Sequence, residues 1–399
     1  MGAAFNFSIF SDVFMKAWSL LLLIMFAGCV EPFTARVPDG QTNVLVVEGY
    51  INVGVDVVTE IRLSRTVPLS QSQYPAPKEV GATIFIEDNL NNNFPLAETA
   101  DGIYRSEMLV LPLDREYRIK ISTQTEEEYT SDFLATLIAP PIDTITWQRE
   151  LTGMDFYVST HDPSNTTFYY QWSYEETWEE NAAHFSFYGY SDGQIFVRDN
   201  EEVLSMHQCF KEHASTIPVN LSTKGLPENK MSLKLFSVIN NSPKLHERYT
   251  ALVTLHALSD AEYQYLQILK KNSTDLGTFF DPQPSQVFGN IFGVTSHQPV
   301  VGYIGVYTTS EKRINLRRRD VLPWPLELPC PQVNIVMNNA DSVKKYFEEL
   351  KYTPTLADYF SNFATTFATP APCADCRMSG NNIQKPDYWD ELFCTACDD

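Results

Sequence analysis

Val57-Val58-Thr59-Glu60-Ile61-Arg62-Leu63-Ser64 is the stretch that decides the fold class. Val57, Thr59, Ile61 and Leu63 point one way; Val58, Glu60, Arg62 and Ser64 point the other. A period of two marks a strand with one buried face. The pattern recurs further along the chain. Ala82, Ile84 and Ile86 alternate with Thr83, Phe85 and Glu87, and Tyr117, Ile119 and Ile121 with Arg118, Lys120 and Ser122. Turn-forming clusters at Asp88-Asn89, Asn91-Asn92-Asn93 and Asp101-Gly102 separate these runs. Short strands at such spacing predict a mostly β protein whose residues 43–138 form an immunoglobulin-like or transthyretin-like β-sandwich. Ala139-Pro140-Pro141 closes that segment.

Residues 139–325 read as a second, larger β-rich domain. Phe168, Tyr170, Trp172 and Tyr174 share a face, as do Met231, Leu233 and Leu235, and Tyr249, Ala251, Val253 and Leu255. One helix is inserted. Ser259-Asp260-Ala261-Glu262 has capping-box spacing, Tyr263, Leu266 and Leu269 follow on one helical face, and Lys270 and Lys271 suit the C-terminal dipole. The strand pattern resumes from Val300 to Tyr307 and fades near Pro323-Trp324-Pro325. Residues 326–399 are expected to be helical to irregular and to carry cysteines, with helix over Ser342 to Lys351 and over Thr355 to Phe367.

The N-terminus reads as an export signal. Lys16 precedes an apolar run from Leu20 to Phe26, and Ala27-Gly28-Cys29 closes it. A basic start, a short apolar core and small residues at the cut describe secretion, and the run is too short to span a bilayer. The Cys after Ala-Gly resembles a bacterial lipobox, with Phe26 where Leu is usual. Residues 1–28 are therefore expected to be removed, with Met15 an alternative start, and residues 29–42 to form a tether lipidated at Cys29. The net charge of −21 argues against nucleic acid and against adsorption to anionic lipid. It suits a soluble body held at a membrane by acyl chains.

No catalytic constellation has the right spacing: there is no His-Glu-x-x-His, Gly-x-Ser-x-Gly, phosphate loop or dinucleotide fingerprint. No cofactor or metal is expected. His207-x-Cys209 with His213 reads as a surface loop rather than a ligand set. Glu175-Glu176 and Glu179-Glu180, beside Trp172, Tyr174 and Trp178, read as a solvated strand end, with a sugar or cation site the alternative.

Cys373-Ala-Asp-Cys376 and Cys394-Thr-Ala-Cys397 have zinc-knuckle spacing. Two facts favour disulfides. Six cysteines (Cys209, Cys330, Cys373, Cys376, Cys394 and Cys397) remain after lipidation, in a chain bound for an oxidising space. Arg377 and Asp398 also stand where knuckle glycines usually do. Cys373 and Cys376 are too close to close a large loop on each other. At least one long-range bridge from the tail to the second domain is expected, with Cys330 and Cys209 as available partners.

Several segments resemble the domain of unknown function 4249 family of Bacteroidota lipoproteins. They are Leu45-Val46-Val47-Glu48-Gly49, Ile61-Arg62-Leu63-Ser64-Arg65, Val80-Gly81-Ala82-Thr83-Ile84, Gly102-Ile103-Tyr104, Pro141-Ile142-Asp143, Phe280-Asp281-Pro282-Gln283-Pro284-Ser285, Gly289-Asn290-Ile291 and Gly302-Tyr303. The tail adds Cys373 to Arg377 and Lys385-Pro386-Asp387-Tyr388-Trp389. The resemblance implies an outer-membrane lipoprotein, facing the cell surface or the periplasm. Genes of such proteins often neighbour those of TonB-dependent receptors, which implies a role in uptake. It implies no catalytic residues. A proline-set loop carrying Phe280, Asp281 and Gln283, with Asn290, is a candidate ligand loop. The expected function is a non-catalytic accessory that binds a ligand or partner for a TonB-dependent transporter. The alternatives are an envelope hydrolase acting through carboxylates and a structural or adhesive lipoprotein.

Overall fold

The computed structural model describes residues 43–67, 75–274, 289–294, 299–357, 364–380 and 382–393. The signal and tether with Cys29, the loop residues Phe280, Asp281 and Gln283, and Cys394 and Cys397 lie outside these. One-faced alternation builds the first sheet from β1 (Leu45–Asn52), β2 (Glu60–Arg65), β3 (Thr83–Asp88), β4 (Asn93–Ala100), β5 (Ile103–Ser106), β6 (Glu116–Ser122) and β7 (Glu128–Ser131). Leu45, Ile61, Leu63, Ile84, Ile86, Tyr117 and Ile119 are fully buried in one core. β1 and β3 belong to one sheet and feed the same core, to which a separate two-stranded sheet of Gly54–Val57 and Leu109–Leu111 adds Leu111. The turn after β3 is held by Asp88, whose buried carboxylate accepts from the Leu90 N–H (3.0 Å) and the Asn92 N–H (2.8 Å) and pairs with Arg115 (2.5 Å). An Asp folding its own turn this way is what the Asp-Asn cluster predicts.

The second assembly uses β8 (Ile142–Glu150), β9 (Gly153–His161), β10 (Tyr169–Asn181), α1 (Asn200–His207), β11 (Gln208–Ala214), β12 (Lys230–Ile239), β13 (Arg248–Ala257) and α2 (Asp260–Thr274). β8, β9 and β12 form a three-stranded sheet. It packs on β10 and β13 through Phe156, Tyr170, Trp172, Tyr249, Ala251 and Val253. Phe156 and Phe236 stack with centroids 4.5 Å apart. The capping box at α2 is complete: Ser259 Oγ accepts from the Glu262 N–H at 3.0 Å, and the Glu262 carboxylate accepts from the Ser259 N–H. Tyr263 and Leu266 pack against Tyr169, Leu258 and Tyr307.

The chain then returns to the first sheet. β14 (Ile291–Gly293) pairs antiparallel with β7; β15 (Val301–Gly302) and β16 (Gly305–Tyr307) pair in parallel with β1, Val46 opposite Val301 and Ile51 opposite Val306. Residues read as part of the second domain thus complete the first sheet. The physical reason is that β2 covers only one edge of β1, and the other edge's backbone groups need partners. β17 (Thr309–Arg317) goes back to the second assembly beside β13.

Asn290 joins the two returning edges. Its Nδ2 donates to the Ile304 carbonyl and its Oδ1 accepts from the Ile304 N–H, both at 2.9 Å and buried. Gly289 beside it is obligatory, because a Cβ there would lie 1.5 Å from the Gly302 carbonyl oxygen. Asn290 is therefore committed to the backbone, whatever the neighbouring loop binds. Asn290→Ala should lower stability by about 2–4 kcal/mol, because it orphans a buried donor and a buried acceptor. Urea denaturation monitored by tryptophan fluorescence reads this, and an unmoved midpoint would sink the account.

The C-terminal region is less helical than expected. β18 (Val333–Val336) is followed by α3 (Ala340–Val343), which runs into a π-helical turn over Lys344–Glu349, as the Ser342–Lys351 pattern suggests. The ends of the helix expected over Thr355–Phe367 are strands among the described residues. Thr355 lies in β19 (Tyr352–Ala357), and Thr365 to Phe367 lie in β20 (Thr365–Pro370) of a three-stranded sheet, with 358–363 outside the described residues. β-branched threonines favour the strand at these positions. The Thr366 hydroxyl also donates across the pair to the Leu356 carbonyl at 2.8 Å. β21 (Asn382–Ile383) adds to β11, and α4 (Trp389–Leu392) lies against Phe210.

Candidate functional site

The acidic end of β10 is not a solvated strand end. Glu175 is exposed, but Glu176 and Glu179 are only 2% and 5% exposed. Glu176 meets the Tyr249 hydroxyl at 2.8 Å, Lys244 Nζ at 2.5 Å and His213 Nδ1 at 2.9 Å. Burial, with Glu176 alongside, holds the Tyr249 phenol well above its ordinary range. Glu179 meets Arg248 Nε at 2.6 Å and Gln208 Nε2 at 2.7 Å. The strand is covered on both faces. Trp172 and Trp178 join the inter-sheet core, while Phe210, Trp389 and Phe393 form a cluster on the other side. The Arg248 guanidinium lies 5.7 Å from the Trp389 ring centroid and 5.6 Å from that of Phe393. Buried carboxylates survive only when paired. Each of these two already has its cation, so they act as locks between strands.

The cysteines converge where β10 ends. Cys209 bonds Cys376 across 167 residues (Cα–Cα 5.9 Å), and Cys330 bonds Cys373 across 43 (Cα–Cα 5.5 Å). The tail is thus clamped twice, to β11 and to the linker before β18. Both tail partners named by the sequence are used, and the four sulfurs are taken in pairs rather than free for zinc. The His207, Cys209 and His213 trio is dispersed likewise: Cys209 is oxidised, the His207 ring stacks on Phe185 at 3.5 Å, and His213 bonds Glu176.

Between the two bridges lies a cleft of 230 Å³, whose walls include Glu180, Asn181, His246, Leu328, Cys330 and Cys373. Glu180 accepts from Ser379 Oγ at 2.9 Å and has Lys211 Nζ at 4.0 Å. The Asn181 side-chain oxygen is buried without a partner. Burial pushes the His246 imidazole below its ordinary range, against the pull of Glu247 beside it. The arrangement can hold a small apolar body, since both Glu180 oxygens are engaged, one by Ser379 and the other by Trp178 Nε1 at 3.4 Å. Sequence reading found the cysteines and Glu180 but missed Asn181 and His246, which carry no spacing signal.

The family description "Domain of unknown function (DUF4249)" matches residues 30–313. The chain belongs to the DUF4249 family. The DUF4249 match ends before Cys330, Cys373 and Cys376, so three of the four clamp cysteines and much of the cleft wall lie beyond it. No curated protein matches the sequence. Among solved structures, the Yersinia pseudotuberculosis adhesin InvE aligns over 55% of this chain and 57% of its own, at 10% identity and TM-score 0.16. A provisionally assigned carbohydrate binding protein of Bacteroides uniformis aligns over 54% of this chain and 90% of its own, at 9% identity and TM-score 0.15. At that similarity neither bears on the fold or function of this DUF4249 chain.

A second recess opens at the Pro141-Ile142-Asp143 motif. Both Asp143 carboxylate oxygens lie 2.8 Å from His161 Nδ1, in an open groove shared with Ser159, Asp162 and Lys230. An Asp-oriented His is half of a hydrolytic arrangement. The hydroxyl that would complete it is engaged elsewhere, since Ser159 Oγ pairs with Thr144 Oγ1 at 2.6 Å.

Proposed function

We propose that this DUF4249 chain is an exported, lipid-anchored, non-catalytic envelope protein that binds a ligand or partner on behalf of a TonB-dependent outer-membrane transporter. The observation that carries the reading is the double disulfide clamp around a cleft. Disulfides persist in oxidising compartments outside the cytoplasm, which agrees with the export signal closing on Cys29. A recess with apolar walls and a few polar groups is the usual form of a ligand site. The hydrolase alternative loses support because Glu176 and Glu179 are neutralised by Lys244 and Arg248. The transporter itself enters through the DUF4249 resemblance alone. Among the described residues no helix is long and apolar enough to cross a membrane. The anchor in this reading rests on the lipobox-like Ala27-Gly28-Cys29.

Two experiments test it. Cys29→Ser should move the processed protein from the membrane to the soluble fraction, and retention in salt-washed membranes would reject the anchor. The native lipoprotein should co-purify in mild detergent with an outer-membrane β-barrel. Isolation as a lone species, with nutrient uptake unchanged in a deletion strain, would reject the partnership and favour a structural or adhesive role.

A further inference from the structure

We infer that the outer face of the short ribbon formed by Gly54–Val57 and Leu109–Leu111 docks an extended, basic segment of a partner protein. The inference deepens the partner reading above by naming where the partner sits, and it rests on that reading for its biological sense. The inward face of the ribbon belongs to the first core: Leu111 is buried in it and Leu109 packs against it. Strand alternation then turns Met108 and Val110 outward. In other strands that feed this core the outward positions are polar, Arg62 and Ser64 in β2 and Arg118 and Lys120 in β6. In the ribbon they are apolar, with Met108 72% and Val110 60% exposed. The antiparallel register sets Val57 opposite Leu109 and Gly54 opposite Leu111. Val55, where the strand bulges, therefore lies across from Val110, and Val58 continues the register across from Met108. Both valines are exposed as well, so four apolar side chains meet water on one outer face. Single exposed apolar residues are ordinary, whereas a contiguous set marks a contact surface.

Two further observations choose the occupant. The ribbon is a two-stranded sheet by itself, so each strand keeps an edge with no strand beside it. An extended segment can add at such an edge while its side chains cover the face. The rim is acidic: Asp56 lies in the bulge, Glu107 precedes Met108 and Asp114 follows Leu113, all three exposed. Among the described residues none of the three is in an ion pair, and the neighbouring cations are engaged elsewhere, Arg105 with Glu60 and Arg115 with Asp88. Unpaired carboxylates around an apolar face repel a second copy of that face and an anionic membrane, and attract lysine or arginine. The net charge of −21 acts in the same direction.

The test uses the whole mature chain with Cys29→Ser, so that no acyl group is present, and short fluorescent peptides as probes. One peptide alternates valine with lysine, one valine with glutamate, and one serine with lysine. Saturable fluorescence polarisation is expected with the valine–lysine peptide only, and added salt should weaken it. Val110→Glu, at an exposed position, should weaken that binding by about tenfold at an unchanged melting temperature. Asp56→Asn, Glu107→Gln and Asp114→Asn together should weaken it and flatten its salt dependence with Val110 intact, which a change of packing would not do. Equal binding of the valine–glutamate peptide would overturn the basic assignment. Equal binding of the serine–lysine peptide would overturn the apolar face, and no saturation with any peptide would overturn the surface. Self-association in sedimentation that Val110→Glu abolishes would give the face to a second copy, and co-flotation with phosphatidylcholine vesicles that Val110→Glu abolishes would give it to a membrane; either would overturn the inference. The transporter is judged apart. A β-barrel that co-purifies with the lipidated Val110→Glu protein as with the parent would reject the ribbon as the partner's dock and leave the transporter standing. Absence of a β-barrel from the parent, with the peptide result intact, would reject the transporter and leave the ribbon.

Discussion

Replacing Cys209 and Cys376 together with alanine should destabilise the protein by roughly 5 kcal/mol, the chain-entropy value for so long a loop. The bridge spans 167 residues, and loop-closure entropy grows with the logarithm of length. Removing the pair rather than one member avoids a free thiol beside Cys373, which could exchange. Loss of the 43-residue bridge between Cys330 and Cys373 should cost less, about 4 kcal/mol on the same account. The effect has a local face too. Trp389, fully buried against Phe210 and Phe393, rides on the clamped tail and roofs the Glu179–Arg248 pair. Releasing the tail opens that pair to water, so limited proteolysis should cut between Cys376 and Trp389 in the double variant and not in the parent. Urea midpoints that coincide for the two proteins would refute the clamp's energetic role.

Glu262→Gln should alter the pH dependence of stability by a comparable amount. Glu262 caps α2 but lies buried over β16, where a Cβ on Gly305 would come within 2.7 Å of both its oxygens. Tyr303 and Tyr307 are the titratable groups that feel its charge from β16 and the turn before it, and both phenols are themselves raised, chiefly by burial. Burial pushes the carboxyl up from 4.5 to about 8, and the Ser259 N–H opposes this only in part. The folded chain therefore keeps a proton that the unfolded chain releases. Its stability contribution is whole below pH 4.5 and is lost as pH rises toward 8. At 1.36 kcal/mol per unit, the loss amounts to roughly 3–5 kcal/mol over that window. Gln keeps the acceptor for Ser259 and cannot ionise. The variant's stability relative to the parent should rise steadily from pH 5 to pH 8, any fixed cost of its extra amide being the same at each pH. A difference independent of pH would show that the carboxyl is ordinary. His256 bears on the acid side. Burial lowers its imidazole to about 4, so it removes stability as pH falls below its free value of 6.5.

The β character is legible because the outward residues Glu60, Arg62 and Ser64, and Arg118, Lys120 and Ser122, alternate with apolar ones, and a period of two has no other simple cause. The same rule misled at β10. Glu176 and Glu179 look solvated in sequence because a charge run usually is, and their partners Lys244, Tyr249 and Arg248 sit some 70 residues away. At Thr355 and at Thr365–Phe367 the helical reading loses to a cross-strand ladder that local pattern does not show, in which the Thr366 hydroxyl donates to the Leu356 carbonyl. Glu262 was legible as a cap and illegible as a buried acid, since capping depends on four local residues and burial on Gly305 far along the chain. The cysteine pairing was bounded but not determined: the tail needed distant partners, and only the fold chooses between Cys209 and Cys330 for each.

The parallel strands β15 and β16 also govern how the molecule must be made. Val46 cannot find Val301, nor Ile51 Val306, until about 250 intervening residues are present. A chain that emerges N-terminus first therefore holds β1 with one bare edge through most of its synthesis or passage across a membrane. Pairings of such high contact order form slowly, and an open strand edge invites pairing with other chains in the interval. Folding of this protein should thus depend on a holding chaperone in a way that a self-contained N-terminal sandwich would not, and truncation anywhere before Tyr307 should give aggregates rather than a shorter soluble domain.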